Sequence, residues 1–380
     1  MQGRGPALTT GAAIAACMLA LAGACAGAEP TDLATEARSL AQAARQQFDD
    51  AYTTRIDDGR HLVYVAAVDA KTLEHAVRVL SEHMDAEQRF LFPRPLAWNV
   101  TIILPTVTDY RRLVPAETQA YGQYRPAART LVSLSLSDVL FHEFTHALHH
   151  NDQALAGQAH AIWIAEGLAT LFQRAPVRKG RLEPEVCNRL ETLQQAVRDG
   201  KTSPLADLCS MDQAAFLRRR EVHYLQARYV MLYLHRAGRL KEFYESYKAG
   251  YAADPSGRAA LEKTLGKPAP EIDADWRAWV LAQEAPWKPT RPSRAHLGVR
   301  MAEAEQGVKV TGFVRGSAAE REARLKVGDV ITALAGRATP TPQDLTQAVQ
   351  ACDPGQIVDV EVLRDGVPTI VSQLLGVMPP

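Results

Sequence analysis

Two histidines four residues apart carry the clearest indication of chemistry in this 380-residue chain. They open and close the segment His142-Glu143-Phe144-Thr145-His146, which lies among apolar residues in a helical pattern. Residues four apart share one helix face, so both imidazoles can direct a nitrogen to a metal ion about 2.0–2.1 Å away. Glu143 projects about 100° around the same helix and can reach a water on that metal. The segment therefore predicts a zinc site with a carboxylate base.

A third zinc ligand is predicted on the next helix. Glu166 lies in the segment 163–169 (WIAEGLA), and Gly167 beside it allows close helix packing. The stretch 150–157 is long enough for a turn that reverses the chain and brings Glu166 to the same metal. Catalytic zinc commonly has three protein ligands plus water. The alternative is a buried helix whose histidines hydrogen-bond to backbone or carboxylate groups.

Together the two segments resemble the gluzincin clan of zinc metallopeptidases, in which H-E-x-x-H is followed by a glutamate, often within W-x-x-E-G-x-A. The resemblance covers residues 98–174. It implies zinc ligation by His142, His146 and Glu166. Glu143 would accept a proton from zinc-activated water as that water attacks a peptide carbonyl, and would then protonate the leaving amine.

Some positions depart from the gluzincin pattern or permit other ligands. Thr170 occupies the place where thermolysin-like enzymes have an aspartate that orients a ligand histidine. A metzincin would need glycine at 149 and a ligand at 152, whereas this chain has His149 and Asp152. His150 and His160 are further histidines near the motif, and we assign no role to them.

The oxyanion of a tetrahedral intermediate needs a hydrogen-bond donor, for which His223 and Tyr224 are candidates. The resemblance favours Tyr224, although this tyrosine also fits an apolar packing stripe of its helix. The alternating segment 132–136 predicts a half-exposed strand whose edge can receive an extended peptide. Aminopeptidases of the clan carry an acidic motif before H-E-x-x-H, and residues 121–137 contain no glutamate. We therefore expect an endopeptidase.

These residues require an α+β catalytic domain over residues 29–285, with a small α/β part followed by a helical part. Ser137 is the expected N-cap of the metal-binding helix. The periodicity predicts strands over 61–68, 98–104 and 132–136, and helices over 31–48, 73–84, 138–150, 158–174, 183–198, 219–237, 239–250 and 270–284. Pro286, Pro289 and Pro292 predict a semi-rigid linker over 286–294.

The last part of the chain, 295–380, resembles the PDZ domains of bacterial proteases. The resemblance rests on the segments 296–299 (HLGV), 307–314 and 325–331, a helix over 342–351 and an Asp365-Gly366 hairpin turn. It implies that backbone amides at Leu297, Gly298 and Val299 bind the terminal carboxylate of a peptide. Ala318 and Arg324 depart from the usual pattern, and a β-rich module without a ligand is the alternative.

The composition and the N-terminal residues indicate which partners are excluded and where the protein is located. Lys plus Arg equals Asp plus Glu at 43 each, so no strong charge attracts nucleic acid. Residues 1–28 resemble a secretory signal peptide, because the apolar run over 12–24 is shorter than a membrane span. We expect a periplasmic or extracellular protein without a transmembrane helix in its mature form, with a lipid anchor on Cys25 as the weaker alternative. Cys187 and Cys209 either form a disulfide or pack as free thiols.

The sequence thus predicts an exported zinc metallopeptidase that hydrolyses peptides or proteins and whose PDZ domain binds chain ends. A non-catalytic peptide-binding scaffold with a protease-like core is the alternative. Such a scaffold does not require Glu143, so the presence of this residue favours the enzyme.

Overall fold

The computed structural model describes residues 32–114, 122–134, 136, 138–187, 189–284, 295–352, 354 and 356–377. The expected signal peptide, the N-cap Ser137 and the expected linker over 286–294 lie outside the described residues.

A mixed five-stranded sheet forms the first part of the protein. The strands are β1 (Thr53–Asp57), β2 (Leu62–Ala66), β3 (Val100–Leu104), β4 (Gly122–Arg125) and β5 (Thr130–Ser133). Their order is β1-β2-β3-β5-β4, with β2, β3 and β5 parallel and the two outer strands antiparallel to their neighbours. Every residue of β2 is buried, as expected of an apolar strand covered on both faces.

Helices cover both faces of this sheet and form the helical part that follows it. They are α1 (Leu33–Gln47), α2 (Ala70–Phe90), α3 (Val107–Leu113), α4 (Asp138–Ala156), α5 (Ile162–Phe172), α6 (Leu190–Arg198), α7 (Leu205–Ser210), α8 (Gln213–Leu217), α9 (Arg220–Arg236), α10 (Leu240–Gly250), α11 (Arg258–Leu265) and α12 (Ala269–Ala282). A short hairpin of β6 (Val177–Arg178) and β7 (Arg181–Leu182) interrupts them. One large apolar cluster joins α2, α4, α5 and α9 to the sheet.

Two predictions about this domain were wrong. The segment 132–136 is not a half-exposed edge, because β5 ends at Ser133, all four of its residues are buried, and it lies between β3 and β4. The outer strand next to it, among the described residues, is β4. The turn expected over 150–157 is helical, because α4 continues to Ala156 and Gly157, with a φ of 65°, follows it. Buried contacts of Asn151 and Asp152 stabilise the added turn.

The C-terminal domain has its own core and a six-stranded sheet. The strands of the whole domain are β8 (Ala295–His296), β9 (Val299–Ala304), β10 (Gly307–Phe313), β11 (Val330–Leu334), β12 (Arg337–Ala338), β13 (Ile357–Arg364), β14 (Val367–Leu374) and β15 (Gly376–Val377). The helices of the domain are α13 (Ala318–Glu322) and α14 (Pro342–Gln350). The main path runs β14-β13-β11-β10-β9, β12 pairs with β11, and β8 pairs separately with β15. Positive φ angles of 53° at Asp365 and 78° at Gly366 confirm the predicted hairpin turn.

The two domains contact each other near the start of α4. A carboxylate oxygen of the buried Glu361 accepts a hydrogen bond from the amide of Leu136 at 3.0 Å. Ile370 joins the large core of the first domain, and its amide donates to the hydroxyl of Thr72 at 3.4 Å. The C-terminal domain therefore holds the segment that enters α4.

Cys187, Cys209 and Cys352 are buried thiols, so the packing interpretation of Cys187 and Cys209 is the one observed. Within the described ranges, no helix has the length and apolar character required to cross a membrane.

Candidate metal centre

Helices α4 and α5 bring the three predicted ligands together. The Nε2 atoms of His142 and His146 lie 3.2 Å apart, and Oε2 of Glu166 lies 3.5 Å from each of them. In a tetrahedral zinc site with bonds of about 2.0–2.1 Å, donor atoms lie about 3.3 Å from one another. The three observed separations fit one zinc ion. Within the described part of the chain, no other group of three metal-binding side chains lies close enough to share an ion.

One buried polar atom at this centre has no hydrogen-bond partner. Oε2 of Glu166 is buried and accepts no hydrogen bond, although a buried polar atom is usually paired. Nδ1 of His142 lies 2.9 Å from Oε1 of Gln173, which can only accept, so Nδ1 carries the proton and Nε2 presents a lone pair. A lone pair, a carboxylate and a second imidazole facing one point form a donor set suited to a cation.

Gln173 is a site residue that sequence reasoning missed. It follows α5 directly and orients His142, the role expected of an aspartate at position 170. Thr170 instead donates its hydroxyl to the backbone carbonyls of Glu166 and Gly167 within its own helix. Positions seven apart share a helix face, so the spacing from Glu166 to Gln173 was the available signal.

The charges of the ligands depend on one another. Burial lowers the pKa of His146, but the Glu166 carboxylate outweighs burial and raises it to about 9. Burial raises the pKa of the Glu166 carboxyl. His146 and His142 outweigh burial and hold this pKa well below its usual range. Without metal, the His146 imidazole is therefore protonated at neutral pH, and zinc would have to displace that proton.

The edge strand β4 positions Glu143, the predicted base. The backbone amide of Tyr124 donates to Oε2 of Glu143 at 2.7 Å. This contact needs a glycine at position 122, since a Cβ there would lie 2.5 Å from Cγ1 of Val139 and 2.9 Å from Cγ of Glu143. The absence of a side chain at Gly122 therefore lets the strand approach the metal-binding helix.

Helix α9 supplies Tyr224 to the same cleft, whereas His223 faces away from it. His223 is buried and interacts with the hydroxyl of Ser203 and the carbonyl of Phe216, which removes it as an oxyanion donor. Burial, followed by the carboxylates of Glu166 and Glu143, raises the pKa of Tyr224. The phenol therefore keeps its proton at neutral pH and can donate it in a hydrogen bond.

Gly167 allows close helix packing, although its neighbour is α9 rather than α4. A Cβ on Gly167 would lie 2.9 Å from Cγ of Met231 and 3.1 Å from the carbonyl oxygen of Ala227. This packing sets the distance between the helix that carries Glu166 and the helix that carries Tyr224.

The remaining histidines near the motif have other partners. Nε2 of His149 lies 2.7 Å from Nδ1 of His160, in a buried group behind the metal centre. Asp152 in the same group pairs with Lys248 at 2.8 Å. Nδ1 of His150 lies 3.1 Å from the hydroxyl of Tyr124.

In the C-terminal domain, the predicted carboxylate-binding loop is a tight turn. Gly298 has a φ of 83°, and a Cβ there would lie 2.4 Å from Cβ of Ser317. The carbonyl of Gly298 accepts hydrogen bonds from the amide of Val314 at 2.9 Å and the hydroxyl of Ser317 at 3.1 Å. Leu297 and Val299 are buried on either side of the turn.

Comparison with known proteins identifies this second domain. Residues 295–372 match the family model described as PDZ domain. The C-terminal domain is a PDZ domain. This result confirms the prediction made from the glycine-bearing segments and the hairpin turn.

Solved structures similar to this chain include proteases. The HtrA-type protease AlgW with a decapeptide is 21% identical, with a TM-score of 0.22, over 29% of this chain and 35% of that one. A serine endoprotease from Yersinia pestis is 18% identical, with a TM-score of 0.21, over 29% of this chain and 36% of that one. The matches thus span little more than a third of these relatives. An aminopeptidase N family protein from Idiomarina loihiensis is 13% identical, with a TM-score of 0.37, over 86% of this chain and 67% of that one. No curated protein matches the chain.

Proposed function

We propose that the protein is a zinc-dependent endopeptidase whose PDZ domain binds the chain ends of substrates or partners. The observation that carries the proposal is the separation of 3.2 to 3.5 Å between the donor atoms of His142, His146 and Glu166. These donors fit a tetrahedral zinc site that leaves one position for water or substrate. Oε2 of Glu166, which is buried and accepts no hydrogen bond, supports the same conclusion.

The residues around the ligands have the properties that peptide hydrolysis requires. Bound zinc would polarise the scissile carbonyl and lower the pKa of a water molecule. One oxygen of Glu143 accepts a hydrogen bond from the backbone amide of Tyr124. The other oxygen is available to accept a proton from the attacking water and to deliver it to the leaving amine. The protonated phenol of Tyr224 is the proposed donor to the oxyanion.

The cleft also suits an extended chain. Its volume is about 1100 Å³, and β4 and α9 line its sides. Because β4 is the outer strand of the sheet among the described residues, a peptide can add to it as a further strand and lie across the metal centre. The absence of glutamate from residues 121–137 favours an endopeptidase over an aminopeptidase.

The direct test is Glu143→Gln. This variant should retain zinc, since all three ligands remain, and should lose about 10²- to 10⁴-fold in the rate of peptide hydrolysis, because the proton acceptor is gone. The measurement is the turnover of a peptide library by zinc-loaded wild-type and variant protein. Turnover at the wild-type rate in the variant would contradict the mechanism.

A peptide-binding scaffold is the second candidate, and the PDZ domain is the observation that favours it. The turn at Leu297, Gly298 and Val299 is the proposed site for a terminal carboxylate. A scaffold would bind peptides without cleaving them even when loaded with zinc. Comparing a free and an amidated peptide C-terminus in a binding assay tests the PDZ site independently of hydrolysis. Export through residues 1–28 remains part of the proposal.

A further inference from the structure

Beyond the proposed metal centre, the walls of the cleft carry more basic than acidic residues. Beyond the proposed metal centre and its histidine neighbours, the charged residues that line the cleft are Arg174, Arg189, Arg220, Arg228 and Glu221. This excess of positive charge is local, because the whole chain has equal numbers of acidic and basic residues. A cleft of this composition attracts negatively charged segments.

Arg228 is a buried cation of the cleft wall whose hydrogen bonds are incomplete. It is only 3% exposed, and its two terminal nitrogens donate to the carbonyls of Leu171 at 3.2 Å and Glu185 at 2.6 Å. Its Nε has no hydrogen-bond partner. A buried charge is costly unless a counterion is near.

The acids around Arg228 already have partners of their own. Arg228 lowers the pKa of the Asp138 carboxyl, but this carboxylate binds Arg174 at 2.8 Å. Glu185 pairs its side chain with Arg178 at 3.3 Å. Among the described residues, no carboxylate forms an ion pair with Arg228. The guanidinium at the cleft wall thus lacks a counterion that a ligand can provide.

The position of Arg228 relates this charge to the proposed chemistry. Arg228 follows Tyr224 by one turn of α9, which is about 6 Å along the helix. An extended peptide advances about 3.3 Å per residue. A side chain one or two residues from the scissile bond therefore falls beside Arg228. Arg189 is exposed where the cleft meets solvent and has no ion-pair partner among the described residues.

We propose that this cleft selects peptides with a carboxylate one or two residues from the cleaved bond. Arg228 is the buried contact and Arg189 the contact at the rim. The inference rests on the proposed peptidase function and adds a substrate class to it. The carboxylate can come from an aspartate or glutamate side chain or from the free C-terminus of the peptide.

The test uses the zinc-loaded full chain and matched peptides with glutamate or glutamine beside the cleaved bond. Each peptide is made with a free and with an amidated C-terminus, and kcat/KM is measured. Wild-type protein should prefer the glutamate peptide by about tenfold, the scale of a charge-assisted hydrogen bond. A glutamate preference that survives amidation assigns the site to a side chain, whereas a preference for the free over the amidated C-terminus without a glutamate preference assigns it to the C-terminus.

The variants separate the two arginines. Arg189→Gln should reduce the glutamate preference up to about fivefold, as for an exposed ion pair, and Arg228→Gln should abolish it. Arg189→Glu should repel the peptide carboxylate and so lower the glutamate preference further than Arg189→Gln does. This variant is the decisive one if Arg228→Gln does not fold. Arg198→Gln is the matched control, because Arg198 is exposed on α6 and does not line the cleft.

Equal cleavage of all the peptides by wild-type protein would overturn the inference while the proposed peptidase function stands. Cleavage of none would contradict the peptidase function. In that case, calorimetric titration of the acidic and neutral peptides into the zinc-loaded protein tests the preference for a carboxylate without requiring cleavage. Tighter binding of the acidic peptide that weakens in Arg189→Glu supports it, and equal binding overturns it.

Discussion

Replacing Gly122 by alanine should move the edge strand away from the proposed base. The added Cβ would lie 2.5 Å from Cγ1 of Val139 and 2.9 Å from Cγ of Glu143. Carbon atoms in ordinary contact are about 3.5–4.0 Å apart, so the strand must retreat by about 1 Å. The 2.7 Å hydrogen bond from Tyr124 to Glu143 would then be lost.

A displacement of about 1 Å at a reacting group can cost about 10²-fold in rate, so kcat/KM of Gly122→Ala should fall about 100-fold. The overpacking should also cost about 1–3 kcal/mol in the free energy of unfolding. Zinc content should not change, because none of the three atoms nearest to the added methyl group belongs to a ligand. The assay compares peptide hydrolysis, zinc content and thermal unfolding of the variant with those of wild type.

Two variants control for general damage. Gly250→Ala adds a methyl group where no atom lies within 4 Å, and it should leave hydrolysis unchanged. Combining Gly122→Ala with Val139→Ala removes the closer of the two clashes and should restore part of the activity. Wild-type kcat/KM in Gly122→Ala, with zinc bound and the fold intact, would refute the positioning role of the strand.

Two further predictions concern the surroundings of the ligands. Gln173→Ala should weaken zinc binding about 10- to 100-fold, because His142 loses the acceptor that fixes its ring, and competition with a chelator measures this loss. Gln173→Glu keeps an acceptor and should retain most of the affinity. Burial lowers the pKa of His160 to about 4, so this residue stays neutral in the folded protein while the unfolded chain takes up a proton below about pH 6.5. The associated stability is present above pH 6.5 and is lost as the pH falls toward 4, by at most about 3 kcal/mol before solvent screening. Urea unfolding between pH 4 and 8 should therefore show a weaker pH dependence in His160→Gln, and an unchanged slope would contradict the assignment.

Local periodicity was sufficient to predict that the two histidines of the proposed metal centre share one helix face. His142, Glu143 and His146 depend only on the geometry of one helix, and the structure brings the first and last of them together as the spacing indicates. Glu166 required a second helix to fold back, which the sequence indicated only through a motif. The PDZ domain was predictable because its glycines occupy positions with positive φ, as at Gly298.

The rest of the site depends on contacts between distant segments. Strand β4 is short and lacks β-branched residues, so nothing in residues 122–125 distinguished it from a loop, yet it positions Glu143. The segment 132–136 alternates like an edge strand, but β4 covers its side and buries it. The added turn of α4 is stabilised by Asn151, whose side-chain oxygen accepts a hydrogen bond from the backbone amide of Ala97 in another part of the chain. Sequence periodicity carries no information about such partners.

The binding of zinc by His142, His146 and Glu166 is the central claim, and zinc occupancy at limiting metal tests it most directly. Purified wild-type protein should bind one zinc ion per chain. Glu166→Ala should bind markedly less at the same zinc concentration, because the site loses one of its three protein ligands. Full occupancy in Glu166→Ala, or failure of the wild-type protein to bind zinc, would contradict the account.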